Sequence, residues 1–371
     1  LARFRATNCA TSAYYEGEIY RILPLCAHLN LLHRKRAFAV ALNMEKIDAS
    51  FWMGNRLATE CVEISTDPAC LNKPGFWAVV NTFEGKWICA RFAKVVDAPL
   101  PQSDWQPLIG NWDSSLNQQQ YEGNVELIKE KIAEGEIYQV NLCRVLTTDC
   151  DQSLLGLAGR LQQANPAPYA SYLKLPNLEI ASASPELFLE RNGKQIKSTP
   201  IKGTATSSVF GEKDKAENVM IVDLMRNDFG SICESGSVDV PRLLATQEHP
   251  GLFHLVSDVV GTLRSDIKWE DISEHLLPAG SISGAPKSSA LKTIAQIEQV
   301  ARGPYCGVIG WVEGDKALLS VGIRIFWSES DGKIHFGTGA GITWQSDPNQ
   351  EWEETQLKAK RLTAIASGVL V

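Results

Sequence analysis

The sequence predicts an α+β fold in which helices pack outside largely antiparallel sheets. Three observations carry this. Leu187-Phe188-Leu189, then Asn192-Gly193 and a second extended run, form a hairpin signal. Apolar runs at 306–313, 317–327 and from Lys333 succeed one another with turn residues between them, as in a meander. Helical patterns interrupt the strands without the regular strand–helix alternation of a doubly wound sheet.

The chain has 371 residues, 44% hydrophobic and 21% charged, which is ordinary globular composition and enough for one large domain or two. A net charge of -7 argues against a general nucleic-acid or anionic-membrane surface, since phosphates would be repelled. An anionic small molecule stays possible, because a buried cation or metal reverses the local field. No apolar run approaches the roughly 20 residues of a membrane span, and no signal peptide is visible. Nine cysteines without a C-x-x-C pair suit a reducing compartment, so a cytoplasmic home is expected.

Residues 1–115 show short β-like runs, among them Ala37 to Leu42 and Phe76 to Val80, between loops. No catalytic spacing occurs there, and an N-terminal β-rich region packing on the core is expected, with 116–371 as the catalytic region of one continuous unit. Val125, Ile128 and Ile132 then recur at helical spacing, with Gly135 as a stop. Ile137 to Leu146 reads as a strand with Tyr138, Val140 and Leu142 on one face. Gln139 and Asn141 on the other face line a polar cavity or meet solvent. Leu154 to Ala164 is a short helix ended by Asn165-Pro166, and Lys213 to Asp228 is a strong helix candidate with Gly230 after it. A helix marked by Leu291, Ile294 and Ile297 follows the loop 279–287. The last helix starts near Pro348, with Asp347 as its cap.

Chemistry concentrates at the open ends of the hairpin. Glu186 in Ser-Pro-Glu-Leu and Lys202 in Pro-Ile-Lys-Gly-Thr are an acid and an amine, the parts needed to expel a hydroxyl and trap the carbon it leaves. With the turn at Asn192-Gly193, Glu186 faces Thr199, Lys202 faces Ala183, and Pro185 meets Pro200. Neither proline can donate a ladder hydrogen bond, so pairing should break there. An exposed Glu and Lys flanking a turn is the bland alternative. Asp214 with Glu217, and Glu351 with Glu354, are two i, i+3 carboxylate pairs, each on one helix face. Such pairs form solvated, salt-bridged faces, or offer oxygens to a hard cation such as Mg²⁺. Gly280, Gly284 and Lys287 fail the phosphate-loop spacing, and Gly337, Gly339 and Gly341 miss G-x-G-x-x-G, so nucleotide binding is rejected. Arg324, beside Gly322 in an apolar strand, needs either an internal acid or a ligand carboxylate. His254 fits a satisfied core histidine.

Ten ordered segments carry a resemblance: IYQVNL (137–142), NPAPY (165–169), SASPELFL (182–189), PIKGT (200–204), KDKAENVMIVDLMRNDFG (213–230), GSISGAPK (280–287), YCGVIGW (305–311), GIRIF (322–326), GAGI (339–342) and EWEETQLKAK (351–360). Together they resemble the chorismate-utilising enzymes, of the anthranilate synthase component I kind, from about Tyr121 to Leu362. The resemblance implies antiparallel sheets packed face to face with helices outside. Within that family, alanine stands at position 202 in anthranilate synthases and lysine at position 139 in isochorismate synthases. Lys202 with Gln139 is similar instead to members that aminate chorismate and keep its enolpyruvyl group.

The resemblance also implies roles. Mg²⁺ is expected chiefly on Glu217 and Glu354, with Glu351 and Asp214 supporting through water. Glu186 is the expected general acid, and a neutral Lys202 the nucleophile, forming a covalent adduct at ring carbon 2. Arg324, Tyr305 and the Gly339, Ala340 and Gly341 amides are expected at the enolpyruvyl carboxylate. Gly203, Thr204, His254 and Gln139 are expected around the ring. No glutaminase domain is recognisable, so ammonia is expected from a separate glutamine amidotransferase subunit or free ammonium. NPAPY resembles part of a tryptophan pocket in relatives, while its N-terminal half is not recognisable. Ser283, Ala279, Thr343 and Gln345 depart from the usual family residues.

Overall fold

The computed structural model describes residues 47–205, 208–249 and 252–369, without the side chains of residues 204, 205, 213, 249 and 252. The expected strand at Ala37 to Leu42 lies outside the described residues. Residues 45–371 form one compact unit. It begins with β1 (Ser50–Met53), β2 (Arg56–Ser65), β3 (Phe76–Asn81) and β4 (Trp87–Asp97). A short β5 (Asp113–Ser114) leads to α1 (Gln118–Ala133) and β6 (Gln139–Asp149). After α2 (Leu155–Ala164) come β7 (Tyr169–Leu175), β8 (Leu178–Ser184), β9 (Leu187–Asn192), β10 (Gln195–Thr199) and β11 (Ile201–Ala205). Next are α3 (Glu212–Ile232), β12 (Asp239–His249), β13 (Leu252–Thr262) and α4 (Trp269–Leu276). The one-turn α5 (Gly280–Ser283) and β14 (Gly284–Ala285) precede α6 (Lys287–Ile297). The chain closes with β15 (Val308–Glu313), β16 (Lys316–Val321), β17 (Ile325–Ser328), β18 (Lys333–Ile342) and α7 (Pro348–Ala366).

All these strands join one antiparallel sheet. Its neighbours run β6–β18–β17–β8–β7–β1–β2–β4–β3–β15–β16–β9–β10–β13–β12. The sheet curls until its two halves face each other. One core therefore joins Cys143, Leu173 and Ile180 of the first half to Val79, Ile309 and Leu319 of the second. Helices cover the outside: Leu157 and Leu161 of α2 pack with Leu362 and Ile365 of α7 on Tyr172 and Phe326. Tyr121, Val125 and Ile128 of α1 meet Val140 and Leu142 of β6 with Ile294 of α6. The α+β reading with face-to-face sheets and outer helices holds. Among the described residues no helix is long and apolar enough to cross a membrane.

Three local expectations need correction. Gly230 lies inside α3, which runs on to Ile232 because Phe229 and Ile232 are needed in the core. The run 317–327 is two strands, with a break at Gly322–Arg324 where Ile323 N–H bonds back to Val321 and Arg324 takes φ 52°. That break carries the chain from β9's neighbour in one half to β8's neighbour in the other. The hairpin turn also slips by one residue: Asn192 pairs with Gln195, leaving Gly193 and Lys194 as the loop. Asn192 is held in the ladder by β16 on its other side, where it pairs with Lys316.

Candidate functional site

The slipped register still fails where the prolines predict. Lys197 pairs with Glu190, but Thr199 pairs with Leu187, so the ladder shifts between them and stops before Glu186. Beyond Pro200, β11 leaves β9 and pairs with β13, with a second shift between Ile201 and Thr204. These irregularities free Glu186 and Lys202 from the alternation of an ideal ladder and bring them to one place. The Lys202 amine nitrogen donates to the Ser281 carbonyl at 3.1 Å, and Glu186 is near enough to feel both Ser281 and Lys202. Neither residue is an exposed turn flank.

Glu186 is 4% exposed. Burial pushes its carboxyl up to about 7, against the opposing pull of Ser281, Lys202 and Arg324. Burial also lowers the Lys202 amine, opposed by the Glu217, Glu186 and Glu354 carboxylates and aided by the Lys358 ammonium. The low-dielectric setting thus disfavours charge on both groups, making the protonated acid and the neutral amine accessible.

Glu217 on α3 and Glu354 on α7 both act electrostatically on the same amine from separate helices. Glu354 also pairs with Lys358 at 2.6 Å. Glu351 is buried and accepts from the Ser346 hydroxyl at 2.6 Å. Asp214 accepts from Gly211 N–H at 3.1 Å, capping its own helix, and packs against Gly203, whose φ of 83° and lack of side chain allow the approach.

Gln139 is buried rather than solvated, with its amide nitrogen packed against Gly341 so closely that a side chain there would collide with it. Lys202 lies beside the same glycine, and the Gln139 carbonyl oxygen has no hydrogen-bond partner. Gly339 and Gly341 pair with β6 along one edge, and no strand among the described residues pairs with the other edge of 337–342. Ala340 turns its methyl into the core, leaving only its backbone to the site. Tyr305 stacks over Gly337 and points its hydroxyl to the Cys143 thiol at 3.8 Å. Among the described residues no carboxylate forms an ion pair with Arg324, although Glu186 is close enough to be felt by it. His254 is buried in β13 and pairs with Thr204 of β11 through the backbone; the Thr204 side chain lies outside the described residues.

The description "chorismate binding enzyme" matches residues 80–364. The chain belongs to this family. It is 36% identical over 273 residues to anthranilate synthase component 1 of Saccharolobus solfataricus, covering 69% of this chain and 64% of that protein. Aminodeoxychorismate synthase component 1 of Escherichia coli is 35% identical over 280 residues, with coverages of 71% and 60%. The chain thus spans somewhat under two thirds of the length of these relatives. The menaquinone-specific isochorismate synthase of Escherichia coli shares the fold, at TM-score 0.71 and 18% identity over 86% of this chain and 88% of that one.

Glu217 and Glu354, both felt by the Lys202 amine, are oxygen donors of the kind Mg²⁺ takes alongside waters. Among the described residues no cluster of three or more His, Cys, Asp or Glu side chains forms a metal cage. Sequence reasoning missed two residues of this site. Ser281 stands in plain view within GSISGAPK, but only coordinates show that its carbonyl meets the Lys202 amine. Arg302 is 1% exposed and bonds Glu298, the Ile282 carbonyl at 2.9 Å and the Asn141 carbonyl at 2.7 Å, with its guanidinium 4.0 Å above Phe83. Its i, i+4 spacing from Glu298 was the available signal, hidden because the helix ends at Ile297.

Proposed function

We propose that this chain is an aminodeoxychorismate synthase component I, converting chorismate and ammonia to 4-amino-4-deoxychorismate for p-aminobenzoate and folate synthesis. The observation that carries the reading is Lys202, held at Ser281 beside Glu186, with a neutral Gln139 amide as its neighbour over Gly341. Overall identity does not discriminate, since the anthranilate and aminodeoxychorismate relatives stand at 36% and 35%. An amine at 202 without an amine at 139 does.

Arg324, Tyr305 and the backbone at Gly339–Gly341 hold the enolpyruvyl carboxylate. Gly203, Thr204 and His254 line the ring. Glu217 and Glu354, with Glu351 and Asp214 beside them on the same two helices, would hold Mg²⁺, which would supply positive charge for the ring carboxylate. Glu186 gives its proton to the ring-carbon-4 hydroxyl, which leaves as water. The lone pair of Lys202 forms a bond to ring carbon 2 as that hydroxyl departs, so the ring double bonds shift and electrons balance. Ammonia, delivered by a separate glutamine amidotransferase subunit, then bonds to carbon 4 and expels the lysine nitrogen from carbon 2. The enolpyruvyl ether is untouched.

Incubating the protein with chorismate, Mg²⁺ and ammonium, then identifying products by mass, tests the assignment. Aminodeoxychorismate is the expected product. Anthranilate with pyruvate, or isochorismate, would reassign the chain to another activity, and no turnover would leave a silent chorismate binder.

A further inference from the structure

We propose that Arg302 is a positioning residue for the amine: through the Ile282 carbonyl it holds the one-turn helix α5, whose Ser281 carbonyl receives Lys202. The inference rests on the function proposed above and adds to that site a side chain that acts on the amine through the backbone alone.

The guanidinium is aimed before it reaches α5. Glu298 accepts from Arg302 twice, from Nε at 2.7 Å and from Nη2 at 2.6 Å, which fixes the plane of the fork. The Phe83 ring lies 4.0 Å from it, and the Glu84 carboxylate takes the Arg302 backbone N–H at 2.7 Å. Two further N–H groups then meet backbone. Nη1 donates to the Ile282 carbonyl at 2.9 Å, and Nη2 donates to the Asn141 carbonyl at 2.7 Å. One planar, permanently charged group thus ties α5 to β6.

Of the two, α5 needs the tie more. β6 pairs with β18 along the whole of 333–342, so the ladder holds Asn141 without the guanidinium. α5 has four residues, too few to sustain a helix by its own hydrogen bonds. Within it, Ile282 N–H reaches the Ala279 carbonyl at 3.3 Å, and the Ser283 hydroxyl donates to the same carbonyl at 3.0 Å. The Ser281 carbonyl and the Ile282 N–H belong to one planar peptide unit, and the Ile282 carbonyl belongs to the next. Gripping the Ile282 carbonyl therefore limits how far the Ser281 carbonyl can turn. Lys202 stands on β11, where pairing shifts between Ile201 and Thr204, so its own strand fixes the nitrogen poorly. The Ser281 carbonyl at 3.1 Å supplies the missing reference, and it accepts from an amine in either protonation state.

The test uses two variants of the full chain. Arg302→Lys keeps a positive charge for Glu298 but offers a point donor in place of the fork. Arg302→Met combined with Glu298→Gln removes both charges together, so neither is left buried and unpaired. The Gln also keeps an acceptor oxygen for the Cys143 N–H, which Glu298 holds at 2.9 Å. In each variant, kcat and the rate of Lys202 adduct formation, followed by mass spectrometry of quenched turnover, should fall together by about ten- to hundredfold. KM for chorismate should change little. A purely structural role would lower the unfolding midpoint and leave kcat and the adduct rate of folded protein at the wild-type level; that result would overturn the proposal. A raised KM at unchanged kcat would overturn it too, and so would failure of both variants to fold. Wild-type protein that yields no aminodeoxychorismate from chorismate would instead overturn the function reading. The clamp is then read without turnover, by hydrogen–deuterium exchange of the peptide spanning 279–285. Faster exchange there in Arg302→Lys, with β6 and β18 as protected as in wild type, supports the clamp, and identical exchange removes it.

Discussion

Glu186 and Glu354 both act on the Lys202 amine, yet one is buried at a break in a sheet and the other is half exposed on a helix, paired with Lys358. The difference sorts their chemistry. A buried carboxyl holds its proton to about pH 7 and can give it away in the site. A solvated carboxylate on a helix suits a hydrated cation. The same side-chain type thus serves as acid or ligand according to the element that carries it. Lys202, between them, borrows from each: burial lowers its pKa, and the carboxylates restrain how far it falls.

Removing the amine should have the largest effect. Lys202→Ala should lower aminodeoxychorismate formation on the order of 10⁴-fold or more, since no other group can supply the covalent step. Mass spectrometry of quenched turnover should lose the chorismate adduct as well; undiminished output would remove the nucleophile role. Glu186→Gln should follow, with kcat lower by about 10²–10⁴-fold. The sign of the wild-type pH dependence follows from its raised pKa. A general acid must be protonated, so kcat should fall as pH rises through about 7, while the neutral amine is lost as pH falls. A rate still climbing well above pH 7 would place the acid elsewhere.

On the exposed side the effect should appear in metal dependence. Glu354→Gln should raise the Mg²⁺ concentration needed for half activity by at least about tenfold, with activity recovering at high Mg²⁺. An unaltered metal titration would move the site to other carboxylates.

The strand half and the helix half of this site differ in how far the sequence reveals them. The acidic pairs on α3 and α7 were legible because helical spacing alone places i and i+3 on one face. The strand half resisted. Pro185 and Pro200 announced an irregularity, and the ladder does shift there. Which way it shifts depends on β16 and β13, partners distant in sequence, and β16 moved the turn itself by one residue. Arg324 shows the same limit. Its apolar surroundings flagged it, but read as a continuous strand it faced the wrong neighbours. Only the break at Gly322–Arg324, fixed by two halves of the sheet competing for one chain, explains its φ of 52° and its place near Glu186. Arg302 and Ser281 work through backbone carbonyls, and a backbone acceptor leaves no mark on residue type.

The smallest expected effect probes the boundary between fold and ligand. Asp214 belongs to the α3 acidic pair by spacing, but its carboxylate already accepts from Gly211 N–H and packs on Gly203. Asp214→Ala should therefore cost about 1 kcal/mol in unfolding free energy, the usual price of a lost cap contact, measured by denaturant titration. Its Mg²⁺ titration should shift far less than that of Glu354→Gln. Asp214→Asn keeps an acceptor oxygen for the cap and removes the charge, so it should recover most of the stability. If Asn restores stability while the Mg²⁺ requirement stays raised in both variants, Asp214 acts on the metal through its charge. A requirement that follows stability instead makes it a cap, and confines the cation to Glu217 and the α7 pair.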